Sequence, residues 1–450
     1  MMHMTHKQRV ALLATIIGSG VVFLDGSIVN LALPKMAADF HASFADLQWV
    51  MSAYLLSLSA LMLLGGSLGD IFGRKRIYLI GVAGFTIASL MCALAPTIEW
   101  LIFTRIVQGA CGALMVPGAL AIIDTNFVAT LRSKAIGLWT AWTAAITAIG
   151  PLAGGYLVDV SSWRWVFVVN APLLALCLWL AYRGVVESKD EEKRHIDFRG
   201  AAVAILALGG IVFGLIEGAA SGWTLIPIVS LIGGIVLSII FVWLERWSKD
   251  PMLKMRLFKN ANFTGTNITT FAMYGAAGGF FFVLPIQLQE VVGFSSLQAG
   301  MSLLPATIIL LSFSSRVGVL ASKFGPRLFM TLGPILAGCS ILLLFSLHAG
   351  SEFLLHILPG VVLFAIGMTL TVTPLTMTVL NAVAEADAGI ASAVNNAVSR
   401  VAGLLVIALV GLLGASFAYQ FATISCGVLA IVAGMLSFFV ISNKSIIKSS

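Results

Sequence analysis

The residue with the clearest potential for chemistry is Asp25, a carboxylate inside the first long apolar segment of the chain. An ionisable side chain is costly in such a segment and usually has a function there. If the segment is a helix that begins near residue 10, Asp25 lies ~22 Å along it, at 1.5 Å per residue. Loss of hydration favours the neutral form of a carboxylate, so Asp25 is suited to taking up and releasing a proton. The alternative is a permanent ion-pair partner that only orients helices.

Arg105 is the candidate partner of Asp25. It lies ~8 Å from the start of another apolar segment, which is the depth of Asp25 measured from the same side. Gln108 follows at i+3 and therefore shares a helical face with Arg105. An arginine favours the ionised form of a nearby carboxylate, so movement between the two would change proton affinity. A static buried ion pair stays open as the alternative.

The composition indicates that a membrane-spanning scaffold holds these residues. Of the 450 residues, 59% are hydrophobic and only 10% are charged, and the mean hydropathy is +1.03. Soluble domains have about 25% charged residues. This excludes a soluble enzyme, a nucleic-acid binder and a secreted disulfide scaffold. Five cysteines lie in apolar segments at irregular spacing, which predicts buried thiols and no metal or redox site.

The apolar segments predict an all-α membrane protein with fourteen transmembrane helices, since a helix needs about 20 apolar residues to cross a bilayer. The predicted spans are 10–31, 47–68, 77–95, 100–122, 135–158, 164–184, 200–219, 224–244, 261–288, 297–316, 327–347, 353–378, 390–414 and 418–441.

The positive charges predict the orientation of these spans. With the amino terminus inside, 22 of the 26 Lys and Arg residues fall at the inner ends or loops. Lys35 and Arg164 face outward, and Arg105 and Arg400 lie within spans. Cations of membrane proteins concentrate on the cytoplasmic side. We therefore predict a multi-pass protein of the cytoplasmic (inner) membrane with both termini in the cytoplasm.

An internal repeat predicts two halves. Phe72-Gly73-Arg74 lies between spans two and three, and Phe324-Gly325 with Arg327 lies at the matching place between spans ten and eleven. Repeated halves around a midplane site are a transporter architecture. The predicted domains are a six-helix bundle at 1–195, two inserted helices with linkers at 196–259, and a second six-helix bundle at 260–450. The mixed-charge run 187–199 is predicted to be a solvated inner linker.

Five motifs together resemble the major facilitator superfamily, and in particular its fourteen-span drug:proton antiporters. They are the loop signature at 66–76, Arg105-Ile106-Val107-Gln108-Gly109, the antiporter motif at 150–155 with Gly137 upstream, the first-span signature at 24–34, and Trp163-Arg164-Trp165-Val166-Phe167. The resemblance covers essentially the whole chain. It implies the major facilitator fold, with two six-helix bundles plus two inserted helices.

The resemblance also implies roles for particular residues. Asp25 and Arg105 would exchange protons. A cytoplasmic latch would use Asp70, Arg74 and Asp124, with tight turns at Gly69 and Gly73 and with Asp70 able to cap a helix amino terminus. A functional helix bend would involve Gly150, Pro151, Gly154 and Gly155.

Substrate-cavity candidates are fewer and have plain alternatives. Aromatic rings of Tyr54, Trp139 and Trp142 could line an apolar cavity or anchor the helix in lipid. Polar candidates are Gln108, Asn395, Asn396 and Arg400, of which Arg400 lies near the midplane and is expected to point inward. The sequence departs from the resemblance at three places. Ile71 stands where the family often has arginine, which weakens one cytoplasmic contact. Ile146 replaces an expected glycine, which predicts looser helix packing, and no carboxylate lies deep in spans nine to fourteen.

We therefore predict a secondary active transporter, a proton-coupled antiporter that exports hydrophobic or amphipathic compounds by alternating access. Its partners would be protons, a small-molecule substrate and the lipid bilayer, without nucleic acid, cofactor or metal, in a monomer that is not an enzyme. A proton-coupled transporter of one metabolite, lipid or anion is the alternative. A membrane-embedded sensor or enzyme has no motif in its favour.

Overall fold

The computed structural model describes residues 4–127, 129–189, 198–247, 254–384, 387–413 and 418–443, and these form helices without any strand. In the first half the helices are α1 (His6–Phe40), α2 (Phe44–Phe72), α3 (Arg74–Ala93), α4 (Ile98–Asn126), α5 (Ala129–Val160), α6 (Trp165–Val168) and α7 (Asn170–Gly184). They are followed by α8 (Phe198–Ser221), α9 (Leu225–Trp247), α10 (Ala261–Glu290), α11 (Ser296–Ser302), α12 (Leu304–Phe324), α13 (Pro326–Leu343), α14 (Leu358–Asn381), α15 (Ala388–Val410) and α16 (Ala418–Val440).

The predicted number of spans is confirmed. Within the described ranges, fourteen helical segments are long and apolar enough to cross a membrane, with α6 and α7 forming one segment and α11 and α12 another. The predicted linker residues Lys193 and Arg194, the boundary at 195/196, and the predicted inner cations Lys249, Lys444 and Lys448 lie outside the described residues.

The contacts divide the chain into two compact units. One consists of Met1–Ile211 with Ser230–Val242, and the other of Val212–Val229 with Trp243–Ser450. The inserted helices α8 and α9 therefore contribute to both units. Their assignment to a domain of their own stays a prediction.

The internal repeat extends to helix packing. In the first unit α1 packs against α5 and α7, and α4 packs against α2 and α3. In the second unit α10 packs against α15 and α16, and α14 packs against α12 and α13. Each pair in one unit has its counterpart at the same place in the repeat. The two loop motifs also correspond, because Gly73 (φ 106°) and Gly325 (φ 86°) each begin the next helix in a backbone conformation that favours glycine.

Helix α1 is the element that positions Asp25. It begins at a capping box in which Thr5 and Gln8 satisfy each other's backbone N–H groups, and it ends at His41 in the left-handed conformation. Its neighbours α4, α5 and α7 cover it on several sides. This explains why apolar and small residues occur all round α1 and why Asp25 is fully buried.

Candidate functional site

A buried polar cluster surrounds Asp25. Arg105 of α4 donates to Asp25 Oδ2 through Nη1, and both side chains are 0% exposed. Gln108 Nε2 and Asn170 Nδ2 donate to Asp25 Oδ1 over 3.0 and 2.9 Å. Gln108 Oε1 in turn accepts from Arg105 Nη1 at 2.7 Å. Helices α1, α4 and α7 therefore meet at one carboxylate.

A second set of contacts fixes the partners of Asp25. Arg105 Nε donates to the Val50 carbonyl oxygen at 3.1 Å, and its guanidinium carbon lies 4.1 Å from the Tyr54 ring centroid. Tyr54 donates its hydroxyl to the Val22 carbonyl oxygen at 2.8 Å. Ser89 Oγ accepts from Asn170 Nδ2 at 3.0 Å and from Gln108 Nε2 at 3.3 Å. These contacts add α2 and α3 to the cluster.

The hydrogen bonds of the cluster compensate for the burial of Asp25 and Arg105. Burial of two charges is costly unless their geometry is good and the remaining polar atoms are hydrogen-bonded. Here three donors satisfy the two oxygens of Asp25. Two buried atoms in the same cluster, Arg105 Nη2 and Asn170 Oδ1, have no hydrogen-bond partner among the described residues. A buried polar atom without a hydrogen bond is energetically unfavourable, so these two atoms make this arrangement of the cluster less stable.

The structure places Asp25, Arg105 and Gln108 together, as their depths and spacing predict. Their function in proton exchange stays a prediction. Sequence reasoning missed Asn170 and Ser89, which complete the cluster. Asn170 gave a usable signal, because it is an amide inside an otherwise apolar span. Ser89 gave none, since a lone serine is common in transmembrane helices.

The proposed cavity residues have different environments. Tyr54 and Gln108 are buried in the Asp25 cluster in this structure, and their contact with substrate stays a prediction. Arg105 occupies the space beside both side chains. Trp142 is 58% exposed. It lines a cleft of about 380 Å³ with residues that include Arg9 and Lys134.

The polar residues of α15 lie in the second unit. Asn395 is half-buried and donates to Asn267 Oδ1 at 3.2 Å and to Thr270 Oγ1 at 2.7 Å. Asn396 is exposed, and Arg400 is partly exposed. The two hydrogen bonds of Asn395 hold α15 against α10, so this residue has a structural role whether or not it contacts substrate.

The loop between α2 and α3 and the nearby end of α4 contain a different set of ion pairs from the predicted latch. Arg74 Nη2 lies 2.8 Å from Asp70 Oδ1, one turn away. Asp124 instead pairs with Arg132, over 2.9 Å between Oδ1 and Nη1. The predicted three-residue contact is therefore wrong for this structure. The physical reason is that Asp124 lies near the end of α4, within contact distance of Arg132 at the beginning of the following helix α5.

Glu187 caps the amino terminus of α3. The sequence predicted this capping role for Asp70. Glu187 Oε1 accepts from the Lys75 N–H at 3.0 Å and Glu187 Oε2 from the Arg76 N–H at 3.1 Å. Asp70 lies within the last turn of α2, where its Oδ1 accepts from Arg74 Nε. A Cβ at Gly73 would come 2.8 Å from Glu187 Oε1 and would displace the capping carboxylate, while the φ of 106° itself favours glycine. In the second unit Asn443 Oδ1 occupies the equivalent place and accepts from the Arg327 N–H at 3.2 Å.

The antiporter motif packs α5 closely onto α1. A Cβ at Gly150 would lie 2.5 Å from Ser27 Oγ, and one at Gly154 would lie 2.3 Å from Ile28 Cγ1. Gly155 is also buried. Pro151 lies inside the continuous helix α5. Its missing N–H frees the Thr147 carbonyl oxygen, which instead accepts from Ser27 Oγ at 3.4 Å.

Ile146 does not loosen this interface. Its Cδ1 lies 2.6 Å from the position of a Cβ on Gly20, so the isoleucine fills the space that the α1 glycine leaves. The glycine is present, but on the opposite helix from the expected one. The prediction of looser packing at this level is therefore wrong. The bend at Pro151 stays a prediction.

Comparisons with known proteins agree with this architecture. A family model described as Major Facilitator Superfamily matches residues 15–407. The chain is 36% identical over 416 residues to multidrug resistance protein Stp of Mycobacterium tuberculosis, covering 91% of this chain and 76% of that protein. It is 30% identical over 424 residues to the methylenomycin A resistance protein of Bacillus subtilis, covering 91% and 90%.

The fold is also found among solved structures. A bacterial homologue of the human lysosomal transporter Spinster, in an inward-facing and unoccupied conformation, superposes with a TM-score of 0.71. The match covers 99% of both chains at 17% sequence identity, which shows the fold alone. The helices, the repeated packing and the family match lead to one conclusion: the chain belongs to the Major Facilitator Superfamily and is a multi-pass membrane transporter.

Proposed function

We propose that this transporter is a proton-coupled antiporter that exports hydrophobic or amphipathic small molecules by alternating access. Two relatives are named for multidrug resistance and for resistance to an antibiotic, which supports export as the direction. The energy source would be the proton gradient, with no cofactor, in a protein that acts as a monomer and is not an enzyme. Asp25 would carry the proton, and Arg105 would be its exchange partner.

The observation that supports proton exchange is the donor-only environment of Asp25. The Arg105 guanidinium and the amide groups of Gln108 and Asn170 all donate to its oxygens. These three donors use three of the about four lone-pair sites of the carboxylate, so a proton added to Asp25 would find no hydrogen-bond acceptor among these three partners as they are placed. Asn170 offers a route, because rotation of its amide would turn its unsatisfied oxygen into an acceptor for protonated Asp25.

Movement of these partners would be transmitted to the helices. Asp25, Arg105 and Asn170 lie on α1, α4 and α7, and each is fully buried. A proton from either aqueous side reaches Asp25 only if these helices separate on that side. Protonation weakens the ion pair that joins α1 to α4, which biases the equilibrium between conformations. The substrate would then leave the cell in exchange for the proton that enters it.

The inner surface supplies the proposed gate and orientation. The cations at the inner ends support a cytoplasmic location of both termini in the bacterial cell membrane. We assign the gate to Gly69, Asp70, Gly73 and Arg74, which Glu187 ties to the inner end of α7. In this proposal Asp124 contributes through Arg132.

The test is substrate transport in proteoliposomes with an imposed pH gradient. A panel of lipophilic dyes and antibiotics would be compared with charged metabolites, each with and without the gradient. We expect gradient-dependent movement of several lipophilic compounds and matching proton flux in the opposite direction. Transport that is unaffected when the gradient is collapsed would overturn proton coupling. Transport restricted to one metabolite would favour the narrower alternative over multidrug export.

A further inference from the structure

The cleft at the inner ends of α1 and α5 has the composition of a ligand site. Its volume of about 380 Å³ falls within the range of small-molecule pockets. It is lined by two cations, Arg9 and Lys134, and otherwise by apolar side chains and Trp142. Trp142 is 58% exposed and Leu13 49% exposed, so the apolar wall is accessible.

The cleft is polarised along its length. Ser19 contacts Trp139 and Ile28 lies against Gly154, so α1 and α5 run in the same direction. Arg9 and Lys134 therefore both lie near the beginnings of their helices. Trp142 lies two turns beyond Lys134, or ~12 Å along the helix axis.

The two cations are not explained by ion pairing or by topology alone. Within the part of the chain that the structure describes, neither forms an ion pair, although neighbouring Arg132 pairs with Asp124. A bias toward positive charge on the cytoplasmic side requires cations only somewhere on that side. It does not require two of them to line the same apolar cleft near helix amino termini, where positive charge is unfavourable.

We propose that this cleft binds an amphipathic monoanion. Its carboxylate, sulfonate or phosphate group would lie between Arg9 and Lys134, and its apolar body would extend along Leu13, Leu138 and Ile16 to Trp142. Charge-assisted hydrogen bonds to an anion are the stronger polar contacts available in proteins. A lipophilic cation would be repelled by the positive charges of Arg9 and Lys134. The source of the anion is either a soluble amphiphile or an anionic lipid headgroup of the inner leaflet.

The test uses the full-length protein in phosphatidylcholine vesicles at equal pH on both sides. The probe is 8-bromooctanesulfonate, whose bromine quenches tryptophan fluorescence, and its matched cation is 8-bromooctyltrimethylammonium. The quenching that belongs to the cleft is the difference between the quenching of the wild-type protein and that of the Trp142→Phe variant. We expect saturable quenching by the sulfonate, with at least tenfold weaker binding in the double variant Arg9→Gln/Lys134→Gln.

Two further variants control for charge and folding. Lys7→Gln removes a nearby cation of α1 that does not line the cleft, and it should leave binding unchanged. Arg9→Lys/Lys134→Arg keeps both charges and should retain binding. Equal affinity for the cationic probe, or an unchanged affinity in the Arg9→Gln/Lys134→Gln variant, would overturn the proposal.

A final arm distinguishes the two sources. Competition by phosphatidylglycerol added to the vesicles would assign the cleft to lipid headgroups, and its absence would assign it to soluble amphiphiles. Because binding is measured without a proton gradient, failure here is separate from failure of proton-coupled export.

Discussion

Substitution of Arg105 by glutamine tests whether the Asp25 cluster has the energetics that its burial implies. Both members of the ion pair are 0% exposed, and Asp25 would keep only the two amide donors from Gln108 and Asn170. Removing one partner of a buried pair leaves an uncompensated charge and costs about 3–5 kcal/mol. Arg164→Gln is the matched control. Its ion pair with Asp39 has side chains 38% and 47% exposed, so its loss should cost about 0–1 kcal/mol.

The assay is a comparison of unfolding midpoints for the purified protein in one detergent. The double variant Asp25→Asn/Arg105→Gln removes both charges, so we expect it to lose less stability than the sum of the single variants, with a coupling of about 1–3 kcal/mol. Additive losses, or an Arg105→Gln variant as stable as Arg164→Gln, would refute the reasoning. Either result would mean that the two charges do not depend on each other in the folded protein.

Three other predictions concern the helix ends and the α1–α5 interface. Glu187→Ala should speed hydrogen exchange at the amides of the first turn of α3 about fivefold, since it removes a capping interaction of about 1 kcal/mol; unchanged exchange would contradict the capping role. The hydrogen bond from Lys254 lowers the pKa of Asp387, with Arg256 adding to the effect. A lowered folded-state pKa gives stability that is present above about pH 4 and lost as the pH falls further, so Asp387→Asn should lower the unfolding temperature at pH 7 and lose that difference under acid; a difference independent of pH would contradict it. Gly154→Ala should cost about 1–3 kcal/mol by forcing a Cβ into Ile28, whereas Gly137→Ala, with nothing within 4 Å, should cost nothing; equal unfolding midpoints for both variants would contradict the close α1–α5 contact.

The sequence predicted the spanning helices well because each of them is determined by the residues of its own segment. Each span must satisfy its backbone within the helix and cover about 30 Å of hydrocarbon, so length and apolarity suffice to find it. The contact between Asp25 and Arg105 was accessible for a related reason. Depth in a membrane can be counted along each helix, and two opposite charges at one depth have few other partners.

The contacts that were predicted wrongly depend on which helices pack against each other. Asp124 and Arg74 share a depth, but depth does not reveal that Arg132 is nearer. Ile146 was interpreted on its own helix, whereas its fit depends on Gly20 of α1. Glu187 lies more than a hundred residues from the amides that it caps, and its place in a mixed-charge run gave no indication of a specific partner. Such contacts come from tertiary packing and not from local pattern.

The central claim is that Asp25 exchanges a proton when substrate binds, and proton release on substrate binding measures this directly. The purified protein would be mixed with a transported compound in weakly buffered detergent solution containing a pH-sensitive dye, over a series of starting pH values, because Asp25 can release a proton only from its protonated form. We expect the wild-type protein and the matched α1 variant Asp39→Asn to release protons in proportion to bound substrate, and Asp25→Asn to bind substrate without release. Proton release by Asp25→Asn equal to that of the wild type would contradict the account.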